Sequence, residues 1–181
     1  MTTGAILLAA GQSRRFGSPK LLAPLHGQPL ALHAARALKA AGLPILVVTG
    51  AHAPAIEAML ACEELAFTHA QDHAQGMAHS LKAGLAAAPP DWDAVLVMLA
   101  DMPDLEPELL RRLADTPGIA VPVHARRRGN PVRWPRSHWP LLMTLTGDEG
   151  ARRLLPGLPV TEVPAPSPAI FRDIDTPDAL T

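Results

Sequence analysis

Three groups of residues in this chain have types and spacings suited to phosphate chemistry. The first is Gly11-Gln12-Ser13-Arg14-Arg15-Phe16-Gly17-Ser18-Pro19-Lys20, which follows the apolar run Ala5-Ile6-Leu7-Leu8-Ala9-Ala10 without a break. The backbone N–H groups of a glycine-containing turn form a concavity for anions. The small residues Ala9, Ala10 and Gly11 let the backbone come close to a bound group, and Arg15 and Lys20 supply the fixed charge that a polyphosphate needs. The second group is Asp101, which follows the most hydrophobic run, residues 94–99, by one alanine. Magnesium takes oxygen ligands and is held by one or two carboxylates together with substrate phosphates. Asp101 is therefore a candidate metal ligand, and Asp104, nearer the next helix, is the better candidate for a helix cap. The third group is Asp173 and Asp175, which an extended chain puts on one face. The loop fits neither G-x-G-x-x-G nor G-x-x-x-x-G-K-[ST], so it is neither a dinucleotide fingerprint nor a P-loop.

These residues need a scaffold, and the composition supports one. The 181 residues are 48% hydrophobic and 18% charged, which suits a single globular domain over residues 1–181 with a substantial core. A formal net charge of −1 points to neither nucleic acid nor an anionic membrane as partner. The single cysteine, Cys62, excludes an intramolecular disulfide and a cysteine-rich metal site. None of the eight histidines is paired at zinc spacing. No apolar run is long enough for a membrane span and no leader pattern opens the chain, so the expected location is the cytoplasm.

Apolar runs at residues 5–10, 45–49, 94–99 and 119–123 read as buried strands, with a weaker one at 65–68. Helices are expected from Pro29 to Gly42, which ends the first one, and over 54–61, 78–88 and 106–114. This alternation predicts an α/β fold of three layers with a mostly parallel central sheet. Open sheets of that kind bind ligands beyond the carboxyl ends of their strands, where both the glycine loop and Asp101 fall. Residues 21–25 read as an extended piece turning at His26-Gly27. Residues 134–143 read as a turn and helix, and residues 170–178 as a strand followed by a helix start at Thr176. Trp134, Trp139 and Phe171 suit core or rim. Arg126-Arg127-Arg128 is either a solvated face or a collar for an anionic acceptor. His73 and His79 lie beside the loop before the third helix, at the surface or against a ligand.

Leu8-Ala9-Ala10-Gly11-x-Ser13-x-Arg15-x-Gly17-x-x-Lys20 resembles the signature loop of nucleotidyltransferases that activate a phosphorylated acceptor with a nucleoside triphosphate. The Leu-Ala-Ala-Gly form is similar to that of the molybdenum cofactor cytidylyltransferases; the related guanylyltransferases have glycine in place of Ala10. The resemblance runs from Ala5 to Asp178 and implies a Rossmann-like, GT-A-like nucleotidyltransferase fold. It gives Arg15, Lys20 and Asp101 catalytic roles, and Leu8, Ala9, Ala10, Gly11, Ser13 and Gly17 contacts to the nucleotide. It places Gly76 and Ser80, with Gln75 and Met77 beside them, at the base; plain helix capping is the other role open to Ser80. Asp101 of Ala-Asp-x-Pro and Asp175 of Asp-Ile-Asp-Thr-Pro become metal ligands for Mg²⁺, with Mn²⁺ as the alternative.

Gly129-Asn130-Pro131-Val132 resembles the motif on the acceptor side, with Asn130 where histidine is often found. In Gly147-Asp148-x-Gly150-Ala151-Arg152, the resemblance puts Arg152 near a phosphate; a capped helix start at Asp148 and Glu149 is equally compatible. The implied substrates are CTP and a molybdopterin-type cofactor, and a recipient molybdoenzyme or its maturation factor would take the product. GTP or a sugar phosphate as substrate, a non-catalytic cofactor carrier, and a dinucleotide-binding oxidoreductase are the competing readings. The missing G-x-G-x-x-G weighs against the last of these.

Overall fold

The computed structural model describes residues 1–13 and 16–180 of the chain. In chain order its elements begin with β1 (Thr2–Ala9), the hairpin strands β2 (Pro24–Leu25) and β3 (Gln28–Pro29), α1 (Leu30–Ala40), β4 (Ile45–Thr49), α2 (Ala53–Leu60) and β5 (Ala66–His69). They continue with α3 (Met77–Ala87), β6 (Trp92–Leu99), α4 (Pro107–Asp115), β7 (Ile119–His124), β8 (Arg127–Arg128), β9 (Val132–Pro135), α5 (Trp139–Leu142) and β10 (Val160–Pro164). Short 3₁₀ turns lie between them, including Lys20–Leu22, Ala61–Glu63, His73–Gln75, Ala151–Leu154 and Pro168–Phe171.

The main sheet has the order β10-β7-β9-β6-β1-β4-β5, and β8 pairs with β7. β1 runs parallel to both β4 and β6, β4 to β5, and β10 to β7. Among the described residues of this sheet, β9, set between β6 and β7, and the short β8 are the strands that run antiparallel to their neighbours. A parallel sheet is buried on both faces, and β1 shows the consequence residue by residue. Ala5, Leu7 and Ala9 face the core shared with α1, α2 and α4. Ile6, Leu8 and the following Ala10 face the opposite core, shared with α3, Trp139 and Leu142. That alternation produces the expected three layers. Helix α1 stops where expected: the N–H groups of Gly42 and Leu43 donate to the carbonyls of Lys39 and Leu38 at 2.9 and 3.3 Å. Gly42 takes φ +78° there, the left-handed turn that glycine adopts without strain.

Four expectations about local structure need correction. Residues 134 and 135 complete strand β9, so the turn and helix expected over 134–143 begin at Arg136. The pattern is obscured because Arg133 interrupts an apolar run, yet Arg133 is only 4% exposed. Its guanidinium donates to the carbonyls of Ala114 and Gly118 at 3.0 and 2.6 Å, satisfying groups left open at the end of α4. Burial lowers its pKa from the ordinary arginine value. The chain at 170–178 forms no strand; it is tied down by the Ile174 N–H, which donates to the Asp101 carbonyl at 3.0 Å. Residues 20–22 make a 3₁₀ turn before the hairpin. Asp104 caps no helix: Glu106 stands at the start of α4 without a side-chain cap bond, and Asp104 accepts from Arg172 at 2.5 Å.

From β1 the chain moves to β4 and β5 on one side, then returns to β6 on the other. The loops leaving β1 and β6 therefore diverge, which opens a crevice at the carboxyl edge of the sheet. Among the described residues no helix is long and apolar enough to cross a membrane.

Candidate active site

A cavity of about 530 Å³ fills that crevice. Leu8, Ala10, Gly11, Ser13 and Lys20 line it from the first loop, and Asp101 from the end of β6. His73, Gly76, Met77 and Ser80 line it from the start of α3, Asp148 from a later loop, and Asp173 and Asp175 from the C-terminal segment. Lys20 and Asp175, 155 positions apart, thus face one space.

At its floor the Lys20 ammonium bridges two carboxylates. Lys20 Nζ donates to Asp101 Oδ2 at 2.6 Å and to Asp175 Oδ1 at 2.8 Å. Burial alone would lower the lysine pKa, but the attraction of Asp101 and Asp175 outweighs it, so the ammonium titrates above the ordinary lysine value. Burial pushes the Asp101 carboxyl up; Lys20 offsets this in part, and the nearby charges of Asp173 and Asp175 add to it. Among the described residues Asp101 Oδ1, which is buried, has no hydrogen-bond partner. Alternation does place Asp173 and Asp175 together on the cavity side of the buried Ile174, although no ladder holds them.

The first loop is shaped by its own contacts. The Lys20 N–H donates to Ser13 Oγ at 3.1 Å, and the Ser13 carbonyl accepts from Phe16 and Gly17 at 3.0 and 3.2 Å. Gly17 takes φ +78° and shapes the turn without lining the cavity. A side chain at Gly11 would meet only open space, so its absence leaves room for a bound group and serves no packing need. Ala9 was expected at the nucleotide, but it faces the helical core on the other side of β1. Arg15 lies outside the described residues.

Ala10 and His73 both line the cavity and lie close to Gly50. A Cβ on Gly50 would come within 2.8 Å of both the Ala10 Cβ and His73 Cγ, so the ends of β1 and β4 meet His73 at close quarters. Gly76, expected to admit a ligand to the start of α3, lines the cavity and also admits a protein group. A Cβ there would lie 2.2 Å from the Gly147 carbonyl carbon, and that carbonyl accepts from the Ala78 N–H at 3.0 Å. Ser80 does not cap α3, which starts from Gly76; it is buried within the helix and faces the cavity. Gln75 turns away to Asp72, to which it donates at 2.9 Å.

A second cavity, about 140 Å³, adjoins the first and shares Leu8, Met77 and Leu99 with it. Its remaining walls are Leu81, Val97, Val132, Gly150 and Ala151, with Asn130 and Arg152 as the polar groups. The Arg152 guanidinium donates to the Arg128 carbonyl at 2.7 Å. Gly129 and Pro131, expected on the acceptor side, do not line this cavity; Gly129 packs against Ile170, where a Cβ would lie 2.6 Å from the carbonyl oxygen. Two of the three clustered arginines are engaged elsewhere. Arg127 lies over the Phe171 ring at 4.5 Å, and Arg128 donates to Glu162 at 2.8 Å. Arg126 is exposed at the hairpin turn.

The carboxylates fit a divalent ion. Asp101 and Asp175 already converge on one cationic atom, and among the described residues the buried Asp101 Oδ1 has no partner. Among the described residues no three His, Cys, Asp or Glu side chains converge on one point, which leaves further positions to substrate phosphate and water.

Residues 5–162 match the model of the MobA-like NTP transferase domain. The chain is 32% identical to the purine catabolism protein PucB of Bacillus subtilis (strain 168), over 96% of this chain and 91% of that protein. It is also 32% identical to the nicotine blue oxidoreductase of Paenarthrobacter nicotinovorans, over 97% and 93% of the two chains. In structure it is similar to Rv0371c of Mycobacterium tuberculosis H37Rv, with a TM-score of 0.88 and 30% identity over 99% of this chain and 95% of that one. The same protein has also been solved in complex with manganese, with a TM-score of 0.86, 27% identity and 99% and 96% coverage.

Proposed function

The chain belongs to the MobA-like NTP transferase domain family, and on that footing we propose that it transfers CMP from CTP to the terminal phosphate of a molybdopterin-type cofactor, releasing pyrophosphate. The observation that carries this reading is the convergence of Lys20, Asp101 and Asp175 beneath the glycine loop. One cation between two carboxylates, at the mouth of an anion-binding turn, is suited to a triphosphate. The whole chain acts as one transferase domain, on soluble substrates in the cytoplasm.

In this reading the triphosphate lies along Gly11 and Ser13, with Lys20 and Arg15 at its charged end. Asp101 and Asp175 hold Mg²⁺, or Mn²⁺ in its place, and the ion supplies Lewis-acid charge to the phosphate oxygens. Lys20 leaves the carboxylates for the triphosphate and stabilises the charge that grows on the leaving pyrophosphate. An oxygen of the acceptor phosphate forms the new bond to the α-phosphorus. The bond from that phosphorus to the α–β bridging oxygen breaks, and its electron pair departs with pyrophosphate. The acceptor phosphate is already ionised at neutral pH, so no general base is required. The chain's contribution is positioning and fixed charge.

Two features support the choice of substrates. The Ala10 Cβ, packed near Gly50 and His73, lines the cavity and favours a one-ring base over a purine. The second cavity is apolar apart from Asn130 and Arg152. A sugar phosphate would leave several hydroxyls there without partners. A flat heterocycle would lay its faces on Leu8, Leu81 and Leu99 and turn an amide-like edge to Asn130. Gly129 and Pro131 then hold Asn130 in place, and Arg152 meets the acceptor's charge. The product passes to a recipient molybdoenzyme or its maturation factor.

The test is pyrophosphate release by the pure protein with Mg²⁺ and molybdenum cofactor, comparing CTP with GTP and ATP. Release with CTP alone, and only with cofactor present, is the expected result. Release with GTP would keep the transferase and change the base. Cofactor binding without release would favour a carrier. The relative named as an oxidoreductase favours a second reading, hydride transfer from a nicotinamide cofactor, which a spectral titration with NADPH checks directly.

A further inference from the structure

We propose that Asp148 reads the ribose hydroxyls of the bound nucleotide, making the protein selective for ribonucleotides; this inference rests on the nucleotidyltransferase reading above. Asp148 faces the large cavity and is exposed within it. Among the described residues its carboxylate has no hydrogen-bond or ion-pair partner. Its neighbour Glu149 is fully engaged: it accepts from the Thr146 N–H at 3.1 Å and pairs with Arg153. The two adjacent acidic residues therefore divide their roles, one closing the turn and the other facing the ligand space.

The backbone that presents Asp148 is fixed. The Gly147 carbonyl accepts from Ala78 at the start of α3, and the Glu149 N–H donates to the Thr146 carbonyl at 3.1 Å. Gly76 has no room for a side chain against this turn: a Cβ there would lie 2.7 Å from the Asp148 nitrogen. A carboxylate on so braced a turn is pre-organised for a ligand.

Its position selects the part of the nucleotide it meets. The cation site is built from Lys20, Asp101 and Asp175, and Asp148 enters the same cavity from a different loop, beside Gly76. An uncompensated carboxylate facing the triphosphate would repel it. In this reading the base lies toward Ala10 and His73, which line the cavity on one side, whereas Asp148 adjoins Gly76 beside Met77, one of three residues shared with the second cavity. Between base and phosphates the nucleotide is neutral and presents two vicinal hydroxyl donors. A carboxylate accepts from both, and hydrogen bonds to a charged acceptor are among the stronger ones.

The experiment measures, by calorimetry with Mg²⁺, the affinity for the preferred ribonucleoside triphosphate and for its 2′-deoxy and 3′-deoxy forms. It compares the wild type with Asp148→Ala and Asp148→Asn. The wild type should favour the ribonucleotide by about tenfold or more. Asp148→Ala should bring the ratio close to one by weakening ribonucleotide binding while leaving the deoxy forms little changed. Asp148→Asn, which keeps one acceptor oxygen, should fall between. A wild type that does not discriminate, a ratio preserved in Asp148→Ala, or a change in base preference instead would overturn the assignment while leaving the transferase reading intact. A wild type that binds no nucleoside triphosphate would remove both.

Discussion

Lys20 Nζ lies 2.6 Å from Asp101 Oδ2, across 81 positions of sequence, and both side chains are largely shielded from solvent. The ammonium occupies the point on which the two candidate metal ligands converge. In the proposed reaction, a divalent ion held by Asp101 and Asp175 would take the place of the Lys20 ammonium, which would turn toward the triphosphate.

The first prediction follows from that contact. Lys20→Met and Asp101→Asn should each lower kcat by about 10²–10³-fold, the usual loss on removing one group that stabilises developing charge. Initial rates of pyrophosphate release at saturating substrate measure this, with circular dichroism to confirm the fold. Turnover within a few-fold of wild type in either variant would remove that residue from the mechanism.

Base selection should respond to Ala10. Replacing it with glycine removes the methyl group packed near Gly50 and His73. The preference for CTP over GTP should fall by about tenfold, the scale set by one small apolar group in a pocket. A competition assay with both nucleotides reads the ratio, and an unchanged ratio would place base selection elsewhere.

Gly76→Ala tests the brace between α3 and the 146–150 loop. Gly76 holds φ +116°, and its added Cβ would meet the Gly147 carbonyl. A side chain in a left-handed conformation that also collides with backbone should cost more than about 1 kcal/mol of stability and weaken nucleotide binding as the loop shifts. Urea unfolding and calorimetry read the two effects. A variant as stable as wild type would show that the loop yields without cost.

A pH-dependent prediction comes from Glu63, which joins the 3₁₀ turn after α2 to α1. It accepts from Arg36 and Lys39 at 2.8 and 3.2 Å, and these bonds hold its carboxyl below the usual glutamate value. A depressed folded pKa stabilises the fold above the unfolded value, and that contribution is lost as pH falls through the folded one. Glu63→Gln should therefore lower Tm at neutral pH, and the gap to wild type should close on acidification below the ordinary carboxylate range. A gap that stays constant with pH would assign the effect to packing.

Much of the central sheet is legible in the chain because β1, β4 and β6 are buried on both faces and show as unbroken apolar runs. β9 is just as buried but escapes notice, since the charge of Arg133 is satisfied by carbonyls from α4 and the turn after it. β10, at the edge of the sheet, is half polar and carries no run at all. At residues 170–178 the alternation is genuine and the strand is not, because scattered bonds, among them Ile174 N–H to the Asp101 carbonyl and Asn130 N–H to the Ile170 carbonyl, take the place of a ladder.

The same division holds for the candidate site. The sequence alone determined the glycine loop, the aspartate at the end of a buried strand, and the paired aspartates on one face, because residue type and local period express these directly. It also carried the resemblance that named a family. Only the tertiary structure decided that Lys20 bridges Asp101 and Asp175, that Gly76 makes room for the Gly147 carbonyl as well as lining the cavity, that the Ala9 side chain turns to the other face of β1, and that Asp148 faces the cavity while Glu149 does not. Each of these depends on which distant segments meet at the carboxyl edge of the sheet. Those meetings are set by strand order and by backbone bonds between loops, and neither leaves a periodic signal in the chain.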